Sequence, residues 1–202
     1  MRKNRRRVVY GLMGIGLVGL ILSMPFELSA QDNQMLIDDF SKKNFISAVG
    51  TSWVAVTDKV MGGISEVKIE TTIVNQRRCL HLTGNVRVEN NGGFIQAALN
   101  LSKDDKLFDA SLFSGIRLTV YGNNENYSIH LRTLDNYRPW QSYRAHFVAK
   151  SMWHVIELPF ESFKPYRLET KLDTKRLKRI GLVAIGRPFR PDLAVSNIEF
   201  YR

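Results

Sequence analysis

The 202-residue chain is 44% apolar and 24% charged, which excludes a disordered or low-complexity protein and allows one sizeable globular core. Its formal charge of +10 includes a basic head. Without the five basic residues and Glu27 of the first thirty, 24 basic groups face 18 acidic ones, or +6, spread along the chain with no nucleic-acid-binding motif.

In chain order, Arg2, Lys3, Arg5, Arg6 and Arg7 come first, and Val8 to Phe26 follow as 19 uncharged residues. Ala30 then offers a cleavage position. This is the three-part pattern of a secretory signal, and its apolar stretch is also just long enough to span a bilayer. Residues 1–30 are therefore expected to be a signal peptide or a membrane anchor, and both readings stay open. Either one places the remaining domain outside the cytoplasm, in the periplasm or tethered to the cytoplasmic membrane through residues 8–26. Cys79 is the single cysteine, so no internal disulfide is possible; it sits in a strand-like run and reads as a buried thiol.

From residue 36 onward, short alternating segments separated by Gly, Asn, Asp and Pro clusters predict strands. They are Leu36 to Phe40, Trp53 to Val56, Ile64 to Thr72, Cys79 to Leu82 and Val86 to Val88 around a Gly84-Asn85 turn, and Gly93 to Leu99. Further on come Gly115 to Gly122, Tyr127 to Leu134, Tyr143 to Ala149, Trp153 to Pro159, Arg179 to Ile185 and Ala194 to Tyr201. Ile116, Leu118 and Val120 alternate with Arg117, Thr119 and Tyr121, and Tyr127, Ile129 and Leu131 alternate with Ser128, His130 and Arg132. That period belongs to half-buried antiparallel strands. Short helices are expected only near Ser41 to Val49 and Asp173 to Arg179. The prediction is an all-β, two-sheet antiparallel jelly-roll sandwich over residues 36–202, with its first and last strands side by side and Trp153 and Phe147 in the core.

Catalytic and metal chemistry find little support. His81, His130, His146 and His154 lack metal-ligand spacing, and no nucleophile elbow, phosphate loop or dinucleotide fingerprint occurs. Asp38 and Asp39 are the candidate oxygen ligands for a structural Ca2+. No cofactor and no catalytic residue is assigned. The distinctive stretches are glycine corners: Asp58-x-Val60-Met61-Gly62-Gly63-x-Ser65, and Glu89-Asn90-Asn91-Gly92-Gly93-Phe94. Their glycines permit sharp turns, and their Asp, Ser and Asn side chains can bond the amides that a turn leaves unpaired. They read either as rigid turns or as a preorganised binding rim. A third stretch, Tyr137-Arg138-Pro139-Trp140-Gln141-Ser142-Tyr143, places three aromatic rings and an arginine on a loop, the residue types that anchor interfaces and stack on sugars.

These elements, in the order Asp38-Asp39-Phe40, Trp53, Asp58-x-Val60-Met61-Gly62-Gly63-x-Ser65, Glu89-Asn90-x-Gly92-Gly93-Phe94, Tyr143-x-Ala145-x-Phe147 and Pro159-Phe160-x2-Phe163, resemble the complex I intermediate-associated protein family. The resemblance implies a galactose-binding-like fold, no catalytic residues, and a role in assembling NADH:ubiquinone oxidoreductase. An export signal departs from that role.

The sequence therefore predicts a non-catalytic binding domain contacting a membrane protein or a respiratory-complex assembly intermediate. The alternative is a carbohydrate-binding module for envelope or extracellular glycans. The candidate binding residues are Asp58, Met61, Gly62, Gly63, Ser65, Asn90, Gly92, Gly93, Tyr137, Arg138, Trp140 and Tyr143.

Overall fold

The structure is a computed structural model, and it describes residues 34–202 apart from Lys43 and Asp105. The expected signal or anchor at 1–30 lies outside the described residues.

Among the described residues, twelve strands form two antiparallel sheets. The first sheet contains β1 (Gln34–Asp38), β3 (Glu66–Val74), β4 (Arg77–Asn85), β6 (Gly115–Gly122), β9 (His154–Pro159) and β12 (Asp192–Tyr201), with the path β3-β4-β12-β6-β9. Strand β12 meets β4 along its first half and β1 along its second, so Met35 lies opposite Phe200 and the two ends of the domain are tied together as expected. The second sheet runs β10 (Lys164–Tyr166), β8 (Ser142–Ala149), β7 (Glu125–Thr133), β11 (Leu177–Ile185), β5 (Phe94–Asn100), β2 (Val54–Thr57).

Alternation decides which side chains fill the space between the sheets. Ile116, Leu118 and Val120 of β6 face inward, as do Ile129 and Leu131 of β7, Ile180 and Leu182 of β11, and Val195, Ile198 and Phe200 of β12. Phe200 stacks on Phe108 and Phe113 with ring centroids 5.1 and 5.5 Å apart, closing one end of the core. Each fully buried aliphatic or aromatic side chain contributes roughly 1.5–3 kcal/mol, so this two-layer interior carries a domain without a disulfide.

Four local expectations are corrected. The β3–β4 hairpin turns at Asn75-Gln76, both with positive φ (40° and 66°), the pattern of a tight two-residue hairpin turn. The Gly84-Asn85 pair instead continues β4, because a Cβ at Gly84 would stand 2.0 Å from the Glu66 carbonyl oxygen on the neighbouring strand. No helix forms among the described residues of 41–49, and the 173–179 region holds a single 3-10 turn at Thr174–Arg176. Trp153 is not a core residue. Its indole N–H reaches the carbonyls of Val74 and Asn75, and its ring rests against Tyr121 on the outer side of the first sheet. Phe147 is buried as expected.

Cys79 is fully buried, with its sulfur 3.7 Å from the Thr72 carbonyl oxygen, and burial pushes its thiol up to about 11. Asp38 spends both carboxylate oxygens inside the protein, accepting from the Phe40 amide and the Trp53 indole. Among the described residues no group of three or more His, Cys, Asp or Glu is placed to hold a metal ion.

Candidate functional site

A cleft of about 1060 Å3 lies on the outer face of the second sheet, and strand register determines its floor. Arg144 on β8 sits opposite His130 on β7, which sits opposite Gly181 on β11. One row along, Arg132 faces Arg179, and on the other side Val183 faces Gln96 of β5. Gly181 leaves room for Gln96: a Cβ would stand 2.0 Å from the Gln96 side-chain nitrogen, which lies over β11 and would have to swing away. Alternation sends Ile180 and Leu182 to the core, and the same pleat turns Arg179 and Val183 toward the cleft.

The two rims differ. At the β2–β5 edge, Val56, Val60, Met61, Val88 and Phe94 make an apolar wall, and Gly92 and Gly93 line it with backbone. Val60, Met61 and Val88 remain exposed. At the β8–β10 edge, Arg144, Trp140, Gln141, Tyr166 and Arg167 form the opposite wall, and the Arg144 guanidinium lies 3.4 Å above the Tyr166 ring.

The apolar wall is held by one carboxylate. Asp58, in a short 3-10 turn after β2, is completely buried and accepts hydrogen bonds from the Ser65 amide (3.0 Å), the Ser65 hydroxyl, the Gly93 amide (2.6 Å) and, more distantly, the Phe94 amide (3.4 Å). Burial alone would raise its pKa. The bonds from Ser65, Gly93 and Phe94 outweigh burial and hold it below the ordinary carboxylate value. Gly63 and Gly92 exist because this carboxylate fills their Cβ space: added methyls would stand 2.3 and 2.5 Å from Asp58 side-chain atoms. Gly62, at φ 87°, and Asn90, at φ 57°, supply the left-handed backbone of the two corners. The two glycine motifs read from the sequence are thus one construction.

The opposite loop is built around Arg132. Its guanidinium donates to the backbone carbonyls of Asn136, Arg138 and Pro139. Gln141 accepts from the Arg138 amide and donates to the Arg167 carbonyl, tying the loop to the end of β10.

The expected site residues therefore separate. Met61, Gly92, Gly93 and Trp140 line the cleft. Asp58, Gly63 and Ser65 are buried beneath its rim and position it. Gly62 and Asn90 shape the corners from outside the lining. Tyr137 and Arg138 are exposed but do not line the cleft. Tyr143 is corrected outright: it is the first inward position of β8, fully buried, with its hydroxyl 3.0 Å from Thr170 Oγ1, so it offers no ring for stacking.

Sequence reasoning missed Gln96, His130, Arg132, Arg144, His146, Arg167 and Arg179. The signal was present as Ser128, His130 and Arg132 alternating with core residues, but a wet strand face does not reveal that its neighbours assemble into a cleft. His130 is buried and sits 3.0 Å from the Ser128 hydroxyl, and burial, reinforced by Arg144 and His146, lowers its pKa well below 6.5 and keeps it neutral. Ser128 is fully buried, so its hydroxyl is closed off from the cleft surface.

Fold and cleft together define a two-sheet antiparallel β-sandwich with an open cleft on the outer face of one sheet. The chain belongs to the complex I intermediate-associated protein 30 (CIA30) family, whose family model matches residues 39–193. No curated protein matches the sequence. Among solved structures, the family 11 carbohydrate-binding module of the cellulosomal cellulase Lic26A-Cel5E of Clostridium thermocellum is similar at 16% identity and a TM-score of 0.62, covering 83% of this chain and 94% of that one. A family 11 module from the same organism, in complex with a β-1,3-1,4-mixed-linked tetrasaccharide, is 15% identical with a TM-score of 0.61 over 83% and 95%. The family 30 module of the Clostridium thermocellum cellulase Cel9D-Cel44B is 14% identical with a TM-score of 0.55 over 83% and 96%. These likenesses concern the fold.

Proposed function

We propose that the domain is a non-catalytic binding module, exported across the cytoplasmic membrane, whose cleft grips a polypeptide segment of a membrane protein or its assembly intermediate. The carrying observation is the cleft's apolar wall, held rigid by the buried Asp58 carboxylate and facing an arginine-rich wall. Gathered, exposed Val60, Met61 and Val88 are what a protein partner covers. Membership of the family supports a protein partner.

A glycan is the second reading, favoured by Trp140, which is exposed at the rim, and by a fold shared with carbohydrate-binding modules. Sugar hydroxyls donate as well as accept, whereas the charged groups in this cleft only donate.

Site-specific photocrosslinking from position 61 in intact cells tests the polypeptide reading, and N-terminal mass spectrometry of the same preparation tests export and cleavage. A crosslink to a defined membrane protein, suppressed when Trp140 is replaced by Ala, is the expected result. Crosslinks to polysaccharide alone would move the assignment to the glycan.

A further inference from the structure

The cleft's charge is not compensated from within. Arg132, Arg144, Arg167 and Arg179 line it together with His130 and His146, and no Asp or Glu does. Several arginines outside the cleft do meet acids: Arg87 meets Glu89, Arg117 lies 2.9 Å from both Glu157 and Glu199, Arg176 lies 2.6 Å from Asp173, and Arg187 meets Glu125. Among the described residues, the hydrogen bonds of the cleft arginines go to neutral groups. Arg132 donates to three backbone carbonyls, Arg144 to the Ser142 hydroxyl and Trp140 carbonyl, and Arg179 to the Asn100 side chain. Burial, with Arg179 close by, lowers the pKa of Arg132, and burial does the same at Arg144. Guanidinium groups stay charged regardless, so among the described residues the site holds four cations and is lined by no carboxylate that receives them.

We infer that the occupant is an extended anionic polypeptide segment in which acidic side chains alternate with apolar ones. This rests on the binding reading above and names its chemistry. The two walls stand at opposite sheet edges. Three strand spacings, roughly 14 Å, separate β8 from β5, which admits one extended chain with side chains on both sides. In such a chain successive side chains point opposite ways. One set of side chains therefore meets Met61, Val88 and Phe94 while the other meets Arg144 and Arg167, and Arg179 on β11 reaches the segment from the floor between the walls. The guanidinium fork matches a carboxylate in bidentate geometry. An acidic glycan would satisfy the arginines and leave the apolar wall uncovered, so the polypeptide accounts for both halves.

Calorimetric titration of the 202-residue chain decides this. The probes are a synthetic peptide of alternating Glu and Leu, its Lys–Leu counterpart, polygalacturonate, and mixed-linkage β-glucan. The Glu–Leu peptide binds, the Lys–Leu peptide and the glucan do not, and affinity falls as salt rises from about 0.05 M to about 0.5 M. Arg179→Gln weakens binding about tenfold, as expected for one charge-assisted hydrogen bond. The exposed Arg167→Gln weakens it about threefold and Met61→Asp about tenfold. Thermal melts show that each variant is folded. Polygalacturonate binding as tightly as the peptide, equal binding of the Lys–Leu peptide, or indifference to both arginine substitutions overturns the inference. If no anionic probe binds while the position-61 crosslinker still captures its membrane partner, the anionic chemistry fails and the binding reading stands. If that crosslink is also absent, both fail.

Discussion

Replacing Asp58 by Asn changes one oxygen to a nitrogen and should cost the domain about 3 kcal/mol. In the native protein Oδ1 accepts from the Ser65 amide, and Oδ2 accepts from the Ser65 hydroxyl and the Gly93 amide. A side-chain amide has one acceptor oxygen. Whichever way the substituted side chain is oriented, its NH2 faces either the Ser65 or the Gly93 backbone N–H, and that buried donor loses its partner at a cost of about 1–3 kcal/mol. The Ser65 hydroxyl can turn its proton to the Arg87 carbonyl and accept from the new NH2, but that leaves the orphaned backbone N–H unpaired all the same. Loss of charge assistance at the remaining bonds adds about 1 kcal/mol. With a urea m-value of about 2 kcal/mol/M, the unfolding midpoint falls by about 1.5 M. The pH dependence gives an independent check. The folded pKa of Asp58 is depressed, so its contribution is present above the unfolded value near ~3.9 and is lost as pH falls through the folded value. The gap between wild type and Asp58→Asn should therefore be full at pH 7 and shrink below about pH 4. A midpoint within about 0.3 M of wild type at neutral pH would refute the claim that this carboxylate holds both corners.

Gly63→Ala should destabilise by more than about 2 kcal/mol in the same urea assay, because its methyl meets the Asp58 carboxyl carbon, whereas Gly62→Ala should cost about 1 kcal/mol for left-handed strain with open space around it. Tyr143→Ala should cost about 3–5 kcal/mol, while Trp140→Ala stays within about 0.5 kcal/mol of wild type, so thermal melts of the two separate the core ring from the cleft ring. His130 is neutral when folded but binds a proton when unfolded below about pH 6.5, so stability falls with pH there by up to about 1.4 kcal/mol per unit, and urea melts of His130→Gln between about pH 7 and pH 5 should show a shallower loss. Cys79 should resist alkylation at about pH 8 until urea unfolds the chain, and rapid labelling of the native protein would contradict its burial.

Much of the fold is legible from alternation, because a strand's own parity tells which residues face inward. Ile116, Leu118 and Val120 show it, and β6 spans Gly115–Gly122 as expected. Parity also placed Tyr143 in line with Ala145 and Phe147, so its burial was readable, yet the adjoining aromatic loop drew it toward the site instead. The hairpin failed for a different reason. Gly84-Asn85 is the stronger turn pair locally, but Glu66 across the sheet needs the missing Cβ, and Asn75-Gln76 accepts the left-handed turn. The cleft was least legible. Arg132 meets Arg179 only because β7 and β11 are neighbours, and Gln96 lies over Gly181 only because β11 and β5 are. These pairings join strands distant in the chain, and no local pattern encodes them.

The glycine motifs illustrate how one construction serves both readings the sequence left open. Burying a charge requires full hydrogen bonding, and Asp58 attains it by drawing the 62–65 and 92–94 backbones toward a single point. The inward-facing polar groups are thereby consumed, and what the corners present outward is Val60, Met61 and Val88, with Phe94 beside them on the same wall. A turn needed only to reverse the chain would place polar side chains at such positions. Singly scattered exposed hydrophobics would mean little, but these gather on one rim of one cleft and face Arg144 and Arg167 across it, with Arg132 and Arg179 on the floor between. A rigid apolar lip opposite a cationic wall is what a ligand with one face of each kind would select.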